Sequence, residues 1–196
     1  MAVASPTARL SEAEYLEIER KAEFKSEFFD GEMFAMSGGS CWHSIISANI
    51  GREFGTALKG RGCVVFESNM RVKVEATGLY TYPDVSVACE EQRFVDDEMD
   101  TLLNPTVIVE VLGESTEKSD RGQKFQHYQQ ILSLKEYILV SQHKARVELL
   151  VREAVGTWRL FQAEGLEGKI TSPTLGVTLE LVEIIANVTF ERRPIR

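Results

Sequence analysis

Glu110 lies inside Thr106-Val107-Ile108-Val109-Glu110-Val111-Leu112, the most hydrophobic run of the chain. A carboxylate in such a place is costly unless it is paired, hydrogen-bonded or on a metal. A strand-neighbour base, Lys73 or Arg71, would make it a structural ion pair. A second carboxylate on a neighbouring strand would make it half of a cation site. Asp84 is the candidate second acid: it follows Pro83 and opens the alternating run Asp84-Val85-Ser86-Val87-Ala88, where an Asp is also an ordinary turn residue. Oxygen donors that converge without Cys or clustered His suit a hard cation such as Mg²⁺, Mn²⁺ or Ca²⁺.

A basic group is available downstream. Asp120, Lys124 and Tyr128 recur at i, i+4 and i+8, with His127 beside them, so on a helix they share a face. Lys124 beside two carboxylates would orient water or stabilise charge on a phosphoryl oxygen. The plainer alternative makes Phe125, Tyr128 and Leu132 a buried stripe, with Lys124 snorkelling to solvent. Glu27, on an otherwise apolar strand, and His43, at the head of a helix, complete the set. An edge charge and a side-chain cap are their ordinary explanations. Walker A, GxGxxG, GxSxG and HExxH patterns do not occur.

The elements that must position these groups read as one α/β domain over residues 1–196. Ser11-Glu12-Ala13-Glu14 is a capping box that opens a first helix. Asp30-Gly31 between apolar runs predicts a hairpin, and Ile46, Ile50, Phe54 and Leu58 predict an amphipathic helix over 43–59. Strands are expected at 63–67, 70–74, 84–88, 106–112 and 136–140, with a helix over 120–132 and an acidic surface loop over 90–100. The tail predicts a hairpin of 145–152 and 157–162 around Gly156, then one or two strands over 172–185.

With 22 Lys+Arg against 30 Asp+Glu the net charge is −8, and hydrophobic residues make up 43%, which excludes a disordered chain. The acidity argues against indiscriminate coating of nucleic acid, though not against an enzyme with bases lining one groove. No apolar run approaches the roughly 20 residues of a membrane span, and the start, MAVASPTARLSEAEY, has no secretory pattern. A cytoplasmic protein is expected. Cys41, Cys63 and Cys89 are odd in number and widely spaced, and read as reduced thiols.

Glu27-Phe28-Phe29-Asp30-Gly31-Glu32, Met36-Ser37-Gly38, His43, Tyr82-Pro83-Asp84, Val109-Glu110-Val111-Leu112, Ser115-Thr116, Asp120, Lys124, Tyr128 and Glu136-Tyr137, taken in order, resemble the Uma2 family (DUF820). This bacterial family is placed in the PD-(D/E)xK restriction-endonuclease-like superfamily. The resemblance runs from Ser11 to Val140 and more loosely into the tail. It implies an α/β (α+β) fold with a mixed central sheet flanked by helices, here with a C-terminal β-hairpin extension. It makes Pro83-Asp84 the "PD" element and Glu110 the second acid, the two holding Mg²⁺ (or Mn²⁺). Leu112 stands where the superfamily usually has its Lys, so the role falls to Lys124 on the following helix. Glu27 becomes an accessory acid and His43, with Asp120 and Tyr128, a further pocket residue. Gly113-Glu114 and Ser141 depart from the family's usual Ser-Pro and acid.

The implied activity is a Mg²⁺-dependent endonuclease acting on DNA, with bases drawn from Arg52, Lys59, Arg61, Arg71, Lys73, Arg121 and Lys124, and with a homodimer joining two grooves. Two alternatives use the same fold: an interaction or regulatory module without turnover, and a hydrolase of small phosphoesters.

Overall fold

The computed structural model describes residues 9–154 and 156–190 of the chain. Helix α1 (Glu12–Glu19) begins with the expected capping box: Ser11 Oγ accepts from the Glu14 N–H, and the Glu14 carboxylate accepts the Ser11 N–H at 2.8 Å. Strands β1 (Ser26–Phe29) and β2 (Glu32–Ala35) pair antiparallel across Asp30-Gly31, both of which have positive φ (50° and 80°), as the favoured two-residue hairpin turn requires. Helix α2 (Cys41–Ala57) follows, capped by Ser40 and burying Ile46, Ile50 and Phe54.

Six strands come next: β3 (Val64–Glu67), β4 (Arg71–Val74), β5 (Leu79–Thr81), β6 (Val85–Ala88), β7 (Thr101–Leu102) and β8 (Val107–Leu112). Two short helices, α3 (Glu117–Arg121) and α4 (Gln123–Tyr128), lead to β9 (Glu136–Ser141), β10 (Arg146–Arg152) and β11 (Trp158–Glu164). The chain closes with β12 (Lys169–Ser172), β13 (Val177–Glu180) and α5 (Leu181–Ile184).

The strands form a five-stranded sheet in the order β2-β1-β5-β4-β7, a six-stranded sheet in the order β11-β10-β9-β8-β6-β3, and the pair β12-β13. β8 is central and buried along its whole length, antiparallel to β6 and parallel to β9. Its side chains alternate between two cores. Val107, Val109 and Val111 face α2 with Ile46, Ile50 and Phe54. Ile108 and Leu112 face the other way, toward Tyr128, Tyr137 and the five-stranded sheet's Val72 and Val74. Glu110 shares that second face. The ladder pairs Val85 with Val109, so it carries Asp84 to the level of Glu110.

Several expectations are corrected. The helix expected over 120–132 breaks at Gly122 (φ −114°, ψ −99°), where an added Cβ would meet the Lys118 carbonyl at 3.0 Å, and it ends at Tyr128, leaving Leu132 86% exposed. β5 escaped notice because Leu79-Tyr80-Thr81 is buried on both faces and shows no alternation. Residues 181–184 form a helix, not a strand. The 145–162 hairpin extends the six-stranded sheet, pairing β10 with β9. Cys63 and Cys89 are not reduced thiols but a disulfide, because the β3–β6 register sets them opposite each other; Cys41 alone is free. Among the described residues no helix is long and apolar enough to cross a membrane.

Candidate active site

Glu27, His43, Asp84, Glu110, Asp120, Lys124 and Tyr128 come to one place, the seam between the two large sheets. Asp84 sits directly after Pro83 and just before β6, with its carboxylate on the backbone of β8. Its Oδ2 accepts the Val111 N–H at 2.7 Å and lies 3.1 Å from His43 Nε2. The Asp84 N–H in turn donates to Glu110 Oε2 at a long 3.4 Å. Glu110 Oε1 is held by the Tyr128 hydroxyl at 2.8 Å and by Lys124 Nζ at 3.0 Å.

Lys124 gathers three acids. Besides Glu110 it reaches Glu27 on β1 at 3.1 Å and Asp120 at 3.6 Å. The break at Gly122 does not separate Asp120 on α3 from Lys124 on α4, which stay 3.6 Å apart across it. Tyr137 Oη donates to the Asp120 carbonyl at 3.0 Å, which pins this break to β9. The ion pair foreseen between Glu110 and Lys73 or Arg71 does not form: Arg71 pairs with Asp100 at 2.9 Å and Lys73 with Glu12 at 2.7 Å. Nor does Lys124 snorkel; its side chain is 12% exposed.

Charge is the defining property of this centre. Four carboxylates (Glu27, Asp84, Glu110, Asp120) face one ammonium and one imidazole. Burial pushes Glu110 up to about 8, Lys124 opposing the rise while Asp120 and Asp84 add to it. Burial also raises Asp120. It would lower Lys124, but Glu110, Glu27 and Asp120 outweigh it and hold the ammonium charged well above its ordinary range. His43 is raised, chiefly by its hydrogen bond to Asp84. Four acids thus crowd two basic groups, and the site relieves the crowding by holding protons on its buried acids.

The acids open on a groove of about 530 Å³ lined by His43, Asp84, Glu110, Asp120, Lys124 and Gln142 among others. His43 and Asp84 also line a second groove of about 860 Å³ that runs along α2 past Ser47, Gly51 and Gly55. Of the seven bases expected to line a nucleic-acid groove, only Lys124 lines either. Arg121 is taken by Glu117 and Glu148, Arg52 by Glu53, and Arg61 by the Leu175 carbonyl.

Three participants were not foreseen. Thr81 Oγ1 donates to Glu27 Oε1, which fixes that carboxylate from β5. Ser40 Oγ accepts the His43 N–H at 3.1 Å and donates to Gln142 Oε1 at 2.5 Å, tying the head of α2 to the end of β9. Ser40 was legible, being an N-cap residue directly before an amphipathic run. Thr81 and Gln142 carry no local signal.

Asp84 and Glu110 have the chemistry of a hard-cation pair. The two contacts to Asp84 both fall on Oδ2, and Glu110 Oε2 receives only the 3.4 Å hydrogen bond. Among the described residues no group of three or more His, Cys, Asp or Glu is arranged to hold a metal. Two carboxylates with the remaining positions left to water and phosphate is the usual provision for Mg²⁺.

Residues 12–183 match the sequence profile of the Uma2 family, described as "Putative restriction endonuclease". The chain is 33% identical over 186 residues to the uncharacterized Synechocystis protein slr1290, covering 95% of this chain and 96% of that one. It is 36% identical over 170 residues to a second uncharacterized Synechocystis protein, sll1609, covering 87% and 96%. In three dimensions it is similar to the crystal structure of "a putative nuclease belonging to DUF820" from Anabaena variabilis. The TM-score is 0.70 at 15% identity, over 89% of this chain and 96% of that one.

Proposed function

This chain belongs to the Uma2 family, and from that premise we propose that it is a metal-dependent endonuclease that hydrolyses DNA phosphodiester bonds. The observation that carries the reading is the juxtaposition of Asp84, at the head of β6, and Glu110 on neighbouring β8, linked through the Asp84 N–H, beside an ammonium that three acids keep charged. Asp84 and Glu110 would hold Mg²⁺ or Mn²⁺, which when bound acidifies a water and screens the phosphate. The chain's own groups do the rest. Tyr128 orients Glu110, and His43 with the Val111 N–H orients Asp84. Lys124 presents positive charge to a phosphoryl oxygen or to the attacking water, and Glu27, fixed by Thr81, sets how far Lys124 reaches.

The working unit in this reading is a homodimer acting in the cytoplasm, where the half-buried Cys63–Cys89 bond must withstand a reducing milieu. A second reading, hydrolysis of small phosphoesters, is favoured by one observation: among the described residues no Arg lines either groove.

Calorimetry with Mg²⁺ and then Mn²⁺, on wild type and on the Asp84→Asn/Glu110→Gln double variant, tests the site. Binding to wild type alone supports it; no binding to wild type, with DNA present as well, overturns the catalytic reading in favour of an interaction module. Plasmid DNA and a model phosphodiester, offered in parallel, separate the two enzymatic readings. Cleavage of the diester with plasmid left intact refutes the nuclease.

A further inference from the structure

We propose that β11 is a homotypic docking edge, to which the β11 of a second copy adds antiparallel about a two-fold axis at Phe161, joining two six-stranded sheets into one. Among the described residues β11 is the outer strand of its sheet and pairs only with β10. The phase of that pairing is fixed at both ends: the Glu153 N–H donates to the Thr157 carbonyl at 3.0 Å, and the Gly165 N–H to the Ala145 carbonyl at 2.9 Å. Odd-numbered residues of β11 are thus bonded to β10, and Trp158, Leu160, Gln162 and Glu164 direct their N–H and C=O groups outward.

Native edges are normally blunted by proline, a bulge, a central lysine or shortness. β11 has none of these. It runs seven residues in unbroken register with β10, without Pro or Lys. It also exposes an apolar side chain on each face, Leu160 at 54% and Phe161 at 44%.

The strand complements itself in one orientation only. It carries Arg159 near one end and Glu164 at the other. Set antiparallel about Phe161, Leu160 faces Gln162, Trp158 faces Glu164 and Arg159 faces Ala163, so no like charges meet. The outward-bonding residues pair with one another: Leu160 with Gln162, and Trp158 with Glu164. Phe161 meets Phe161 in a non-hydrogen-bonded pair, the closer kind, where aromatic cross-strand contacts are favourable. A parallel in-register copy would set Arg159 on Arg159 and Glu164 on Glu164.

The test is sedimentation velocity on the full chain at micromolar concentrations, for wild type, Gln162→Pro and Phe161→Lys. Gln162 points its N–H outward, so proline there removes an intermolecular donor and spares the β10 ladder. Lysine at 161 sets two like charges at the axis. Wild type is expected to sediment with the mass of two chains and both variants with that of one, with unchanged circular dichroism. A Phe161→Cys variant in a Cys41→Ser background is expected to cross-link to itself on mild oxidation. A monomeric wild type, a dimer that survives both substitutions, or a dimer that does not cross-link at 161 overturns the proposal. An unrelated β-strand partner would show as a monomeric wild type. The edge deepens the homodimer of the proposed function, and these outcomes are separate from the metal titration, so the docking edge and the metal site can fail independently.

Discussion

Replacing Glu110 by Gln should stabilise the protein, increasingly so as the pH rises. Burial lifts Glu110 up to about 8, against about 4.3 in an unfolded chain. The folded state therefore holds this proton more tightly than the unfolded state does. Wild-type stability falls as pH climbs from about 4 toward 8, because unfolding releases a proton that the native site retains. The full difference amounts to on the order of 5 kcal/mol by pH 8, and on the order of 4 kcal/mol at pH 7. The Glu110→Gln amide does not titrate. It keeps an oxygen for Tyr128 and Lys124 at the Oε1 position but loses the ion pair and sets an NH2 group where Oε2 accepts the long Asp84 N–H bond, while Lys124 retains Glu27 and Asp120. After that loss the variant should gain roughly 2–4 kcal/mol at neutral pH, or about 5–15 °C in Tm for a chain of this size. The assay is urea unfolding of both proteins in chelator at pH 4, 6 and 8. The gap should be near zero at pH 4 and widest at pH 8. Saturating Mg²⁺, at about 100 times its dissociation constant, should return about 3 kcal/mol to wild type and nothing to the variant. A variant less stable than wild type at every pH, or a gap that does not widen with pH, refutes the reasoning.

Ser40→Ala removes the α2 cap and the link to Gln142, and should cost about 1 kcal/mol, read from denaturant midpoints, with His43 chemical shifts reporting the loosened helix head. Asp100 is raised by burial, but Arg20, Thr101 and Arg71 outweigh that and hold its carboxyl well below the usual range. Its stabilisation is complete above about pH 4 and disappears as pH falls through the depressed value, so acid titration of Asp100→Asn should show a shallower loss than wild type below that pH. Reduction of Cys63–Cys89, which closes a 26-residue separation, should lower stability by about 3 kcal/mol, measured by urea unfolding with and without a phosphine reductant.

The site was legible because its signals are violations of local rules. Glu110 is a charge in a buried strand, and nothing in its own segment explains it, so the explanation had to lie in a partner. Asp84 and Lys124 answer the question of which residues a neighbouring strand and a helix face could bring to it, whereas Glu27 reads locally as an edge charge and joins the site only through the family resemblance. The turn at Asp30-Gly31 and the cap at Ser11 were legible for the opposite reason, since they obey local rules closely. What escaped depends on tertiary register. Lys73 alternates on its strand as a candidate partner for Glu110, yet lies in the other sheet. Cys63 and Cys89 become neighbours only once β3 is paired with β6. Gly122 reads as a tolerable glycine within a helix; in the fold it separates two helices, the Asp120 carbonyl just before it being taken by the Tyr137 hydroxyl of β9.

Lys124 touches Glu27 on one sheet and Glu110 on the other. The same ammonium that would serve a phosphate is also a cross-tie of the architecture. Any cation drawn to Glu110 competes with that tie, and whatever it gains in coordination is set against cohesion between the sheets. Affinity at the acids and stiffness of the seam are thus opposite ends of one balance. A load on the β1–β2 hairpin, from a partner or from substrate lying across it, would be felt at Glu110 through a single side chain.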